Sequence, residues 1–141
     1  MLHLYPLVKL REVKGRYLTY SHIDKILENL GGKFQLKKIG ESTLGVPVHK
    51  LTLGNGKIRI LAWSQMHGNE STTTKAVLDV LNAFYTQEDN PVIRQVLDNC
   101  TICIIPMLNP DGANAYTRAN ANNVDLNRDA KDLRVHCRCK K

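Results

Sequence analysis

The chain has 141 residues, enough for one ordinary domain and too few for two. Its 43% apolar and 23% charged composition supports a packed core and excludes global disorder. The net charge is +7, but the basic residues are spread along the chain, with one local cluster at 134–141, and no nucleic-acid motif accompanies them; no nucleic-acid partner is expected. No apolar run approaches the roughly 20 residues that span a bilayer, and the start lacks a secretory pattern, so a cytoplasmic chain with no membrane partner is expected.

Residues 1–32 read as a helical lead-in. Ile23, Ile26, Leu27 and Leu30 recur at helical spacing, Ser21-x-x-Asp24 resembles a capping box, and Gly31-Gly32 ends the helix. Two strands follow, at about 33–39 and 46–53. Asn55-Gly56 signals a turn into a third strand, 57–64, whose Ile-Arg-Ile-Leu-Ala-Trp run predicts a largely buried position. Residues 65–70 form a loop. A helix over 71–85 follows, with Val77, Val80, Leu81 and Phe84 on one face. Asn90-Pro91 opens another, shorter helix to about Leu97.

Thr101 to Ile105 reads as a central strand, and a long polar loop runs from Pro106 to Asn127. Strands alternating with helices predict an α/β fold, a mixed β-sheet flanked by helices, with its sheet core over 33–133 and a basic tail at 134–141. Such folds place ligands at the carboxyl ends of strands. Cys100, Cys103, Cys137 and Cys139 are not expected to form a structural zinc site, because Cys103 lies inside an apolar strand.

The chemistry-bearing residues fall in the two loops after strands. His67-Gly-Asn-Glu70 stands on a strand-to-helix turn, where an imidazole and a carboxylate three residues apart can converge on one metal ion. Gly68 is expected to permit the tight turn between them. In the second loop, Asn109-Pro-Asp-Gly112 consists of turn-forming residues. Beyond it come Arg118 and Asp125-Leu-Asn-Arg128. An arginine fork suits a substrate carboxylate, and loops of this length in compact domains usually carry function.

Taken together, His67-Gly-Asn-Glu70, Asn109-Pro-Asp-Gly112, Arg118 and Asp125-Leu-Asn-Arg128 resemble the zinc carboxypeptidases of the M14 peptidase family in order, spacing and setting. The resemblance covers about residues 57–133. It implies Zn2+ as cofactor, with His67 and Glu70 as two of three protein ligands, and Asp125 as the carboxylate that orients His67. Arg118 would act catalytically, polarising the scissile carbonyl, and would help bind substrate. Asn127 and Arg128 would hold the substrate's terminal carboxylate. The partner implied is a peptide, or an amino-acid derivative, with a free carboxylate.

The family pattern continues with a third zinc-ligating histidine and a glutamate general base. After Arg128 the chain offers only His136, in the basic tail, and no glutamate. A tail histidine is usually solvated, so His136 is not expected to be the third ligand. The chain is therefore expected to be truncated within the domain, with weak or absent peptidase activity alone. Sheet surfaces left open by truncation predict self-association. Two alternatives are a non-catalytic carboxylate-binding module, and an amino-acid deacylase of the succinylglutamate desuccinylase or aspartoacylase type. Asn109-Pro-Asp-Gly112 favours the peptidase.

Overall fold

The computed structural model describes residues 5–129. In chain order the elements are α1 (Tyr5–Val8), α2 (Tyr20–Gly31), β1 (Gln35–Glu41), β2 (Pro47–Leu53), β3 (Ile58–Trp63), α3 (Thr72–Thr86), α4 (Pro91–Asn99), β4 (Cys100–Ile105) and α5 (Pro110–Ala115). The basic tail, His136, Cys137 and Cys139 lie outside the described residues.

The four strands form one mixed sheet in the order β1-β2-β4-β3. β1 and β2 are an antiparallel hairpin, β2 runs antiparallel to β4, and β3 runs parallel to β4. This is the α/β architecture expected from the alternating strands and helices. Asn55-Gly56 does not close a hairpin, because β4 is inserted between β2 and β3. Gly54 takes the left-handed conformation there (φ 71°), and the connection is tied down by Asn55 N–H donating to the Leu97 carbonyl at 3.1 Å.

The core lies on one sheet face. Ile23, Ile26, Leu27 and Leu30 of α2 and Leu78 and Leu81 of α3 pack in one cluster with Leu51, Leu53, Ile102 and Ile104. The apolar stripe of α2 thus behaves as its spacing predicts, but the cap stands two residues earlier. Thr19 caps it in place of Ser21, with the Thr19 N–H donating to His22 Nδ1 at 3.1 Å. On α3 the buried stripe is Thr74, Leu78 and Leu81, whereas Val80 is exposed; the predicted face is rotated because residues 5–15 cover only part of that side.

β3 departs most from expectation. Among the described residues it is the sheet's open edge, paired on one side only, and Ile58, Ile60, Leu61 and Trp63 are all exposed. Register explains the pattern. Ile60 and Ala62 stand beside Ile102 and Ile104 on the core face, while Leu61 and Trp63 stand beside Cys103 and Ile105 on the opposite face. An apolar run of this kind belongs to a strand covered on both faces, and within residues 5–129 only one face of β3 is partly covered.

β3 and β4 are adjacent and parallel, so their carboxyl ends open on the same side of the sheet. The loops 64–71 and 106–128 therefore emerge next to each other. This single topological fact brings the two motifs together.

Candidate metal and carboxylate-binding site

The two loops are interlocked by backbone contacts. Leu108 N–H donates to the Ser64 carbonyl at 3.0 Å, Asn109 N–H to the Gln65 carbonyl at 3.1 Å, and Asn69 N–H to the Thr117 carbonyl at 3.1 Å. Asn109 extends the lock: its Nδ2 donates to the Met66 carbonyl at 3.2 Å. Gly68 lies directly on the backbone of α5. A Cβ there would fall 1.9 Å from the Gly112 carbonyl carbon. Gly68 is needed for this close approach rather than for an unusual backbone angle, since its φ is not positive.

Asn109-Pro110 is a helix start and not merely a turn. Asn109 Oδ1 accepts from Gly112 N–H at 2.9 Å, with proline in the first helical turn. Asp111, 3% exposed, accepts from the Ser42 hydroxyl at 2.6 Å and from Leu44 N–H at 3.2 Å. It binds the β1–β2 turn to the floor of the site. Replacing Asp111 by Ala would strand two donors, at a cost of about 2 kcal/mol, measurable by chemical denaturation.

His67 is buried and lies between two carboxylates. Its Nε2 is 3.2 Å from Asp125 Oδ1, and its Nδ1 is 3.1 Å from Glu70 Oε1. Arg118 joins the same cluster, its Nε donating to Asp125 Oδ2 at 2.9 Å and its Nη1 to Glu70 Oε1 at 3.4 Å. The backbone N–H of Asn127 donates to Asp125 Oδ1 at 2.9 Å, and that of Arg128 to the Asp125 carbonyl at 2.9 Å. The structure thus gathers His67, Glu70, Arg118 and Asp125, with Asn127 and Arg128 anchored through Asp125. The side chains of Asn127 and Arg128 are exposed; Arg128 Nη1 donates to the Asn127 carbonyl at 3.3 Å.

Asp125 is the electrostatic centre of the cluster. The hydrogen bond from Arg118 is the main cause that lowers its carboxyl from the ordinary 3.8 to about 2; Asn127 N–H and His67 add to it against some desolvation. The stabilisation is present above the ordinary carboxylate range and is lost as pH falls through about 4 to about 2. Arg118→Gln is expected to move the Asp125 titration back toward 3.8, as read by carboxyl carbon NMR.

The donor set suits zinc in kind. Two ligand atoms on a tetrahedral zinc stand roughly 3.3–3.5 Å apart, close to the observed spacing of Nδ1 and Oε1. Among the described residues no group of three or more His, Cys, Asp or Glu side chains is placed to hold a metal ion. A cleft of about 160 Å³ opens at the pair, lined by Trp63, Gln65, Met66, His67, Glu70 and Thr73 among others. A second cleft, of about 910 Å³, lies between residues 5–15 and α3 and holds none of the motif residues.

The zinc carboxypeptidase (peptidase M14) family matches residues 19–136, and the chain belongs to that family. Carboxypeptidase SOL1 of Arabidopsis thaliana is 29% identical over 132 residues, covering 86% of this chain and 27% of the relative. Gamma-D-glutamyl-L-diamino acid endopeptidase 1 of Lysinibacillus sphaericus is 33% identical over 82 residues, covering 54% of this chain and 21% of the relative. A metallo-carboxypeptidase structure from Burkholderia cenocepacia superposes with a TM-score of 0.70 at 22% identity, covering 82% of this chain and 34% of the other. The chain spans only about a fifth to a third of these relatives' lengths. No described helix is long and apolar enough to cross a membrane.

Sequence reasoning passed over Gln65, Asp111 and the capping role of Asn109. The Asn-Pro signal that marks α4 at Asn90 recurs at Asn109, and Asn90 caps α4 in the same way, through Val92 N–H. Nothing in the sequence marked Gln65.

Proposed function

We propose that this chain carries the zinc-binding and carboxylate-recognising part of a metallocarboxypeptidase that hydrolyses the C-terminal amide bond of a peptide. One observation supports this most directly: Asp125 engages Nε2 of His67, which turns Nδ1 toward Glu70 so that the two donors converge. A carboxylate behind a ligand imidazole orients it and raises its basicity. Zinc, when bound, supplies Lewis acidity at the scissile carbonyl.

The chain's own residues do the rest. Arg118 stands beside Glu70, with a guanidinium available to an oxygen that gains negative charge. Asn127 and Arg128, exposed next to Asp125, receive the terminal carboxylate. The peptidase names among the relatives favour this reading over an amino-acid deacylase. The test is equilibrium binding of an acetylated dipeptide acid and of its C-terminal amide. Preference for the acid is expected, with about tenfold weaker binding of the acid in Arg128→Ala. Equal binding of acid and amide by the parental chain would refute carboxylate recognition.

The open edge of β3 also predicts self-association of the isolated chain. Four exposed large apolar residues on a six-residue edge strand form a template for pairing. Sedimentation is expected to show oligomers, shifted toward monomer by Leu61→Lys with Trp63→Lys. A monomeric parental chain would remove this expectation.

A further inference from the structure

We infer that Gln65 is the positioning residue of the His67–Glu70 turn. This rests on the zinc reading of that pair and adds a residue that the family motif does not include. Gln65 is 2% exposed and has a φ of 47°, a left-handed backbone that a side chain bearing Cβ rarely adopts. Such a conformation persists where the surroundings over-determine it, and here they do. Three of the four hydrogen-bonding positions of the amide end are used. Nε2 donates to the Leu18 carbonyl and to the Gly68 carbonyl, both at 2.8 Å, and Oε1 accepts from the Thr74 hydroxyl at 2.7 Å.

These three partners explain what the residue does. Leu18 precedes Thr19, the N-cap of α2, Thr74 lies in the first turn of α3 and is fully buried, and Gly68 lies between the two metal-ligand candidates. The bond to the Gly68 carbonyl fixes the Gly68–Asn69 peptide plane, the middle one of the three between His67 and Glu70. The other two bonds hold Gln65 itself to the two helices of the core. The Gln65 carbonyl meanwhile accepts from Asn109 N–H at 3.1 Å, so the residue also meets the loop that carries Arg118 and Asp125. Glycine at this position would relieve the left-handed backbone but could make none of the three side-chain bonds.

Gln65→Gly therefore separates conformational relief from positioning. In the 141-residue chain, zinc affinity measured by chelator competition is expected to fall about 10–100-fold, the range for removal of a partner that orients a metal ligand. Ile26→Val, a core change remote from the loop, serves as a control and is expected to keep parental affinity. Thr74→Val, which retains shape and removes the hydroxyl that donates to Oε1 and also meets the Ser64 hydroxyl at 3.1 Å, is expected to shift affinity in the same direction by less, and provides a second reading if Gln65→Gly does not fold.

Amide hydrogen exchange at 68–70 in metal-free protein gives a readout independent of zinc, expected to accelerate in Gln65→Gly and Thr74→Val and not in the control. Parental zinc affinity in Gln65→Gly, or unchanged exchange in the loop variants, overturns the inference. Failure of the parental chain to take up zinc counts against the proposed function, while the exchange measurement still decides the role of Gln65.

Discussion

Metal-free protein titrated with zinc is expected to bind about one ion per chain, and His67→Ala to abolish that uptake. His67 supplies an imidazole donor facing Glu70, and among the described residues no group of three or more His, Cys, Asp or Glu side chains is placed to hold a metal ion in its stead. Removing an orienting partner costs about 10–100-fold in metal affinity, so Asp125→Ala should fall in that range and His67→Ala beyond it. Glu70→Gln keeps the shape and removes the charge, and should also lose most of the affinity. Equilibrium dialysis with metal analysis of each variant checks the order. Equal zinc content in the parental chain and His67→Ala would falsify the assignment of the pair.

Gly68→Ala should be the most damaging single methyl addition in the site. The new Cβ would stand 1.9 Å from the Gly112 carbonyl carbon and 2.2 Å from the Ala113 nitrogen, both of them backbone atoms. No flexible side-chain end can move aside, so the two loops must separate or the turn must rebuild. Overpacking of this severity costs about 3 kcal/mol or more, enough to lower the midpoint of denaturation clearly. Zinc uptake should fall with it, because the same contact holds the His67–Glu70 turn against the Arg118 loop. Gly40 provides the comparison: a Cβ there meets nothing within 4 Å, and Gly40→Ala should change stability little. Equal midpoints for the two variants would mean that the loops are not locked through Gly68.

The two predictions test different levels of the same design. The role proposed for His67 rests on its imidazole and the two carboxylates it faces. Gly68 contributes only the absence of a side chain, and its effect travels through packing.

Much of this was determined by the sequence itself. The α2 stripe of Ile23, Ile26, Leu27 and Leu30, the β4 run around Ile102 and the Asn90 cap all follow from local periodicity and capping chemistry, which need no knowledge of distant partners. The site residues were legible because His67, Glu70, Arg118 and Asp125 are chemically distinctive and stand at recognisable intervals. The tertiary structure decided the rest. Order β1-β2-β4-β3 places β3 at an open edge, so an apolar run that reads as interior is exposed at Leu61 and Trp63. Burial depends on what covers a strand, and a strand's own residues do not specify its neighbours. The importance of Gly68 and Gln65 arises in the same way. A missing Cβ and an amide with three partners acquire meaning only when residues far apart in sequence meet, and here they meet because parallel pairing of β3 and β4 opens both loops on one side of the sheet.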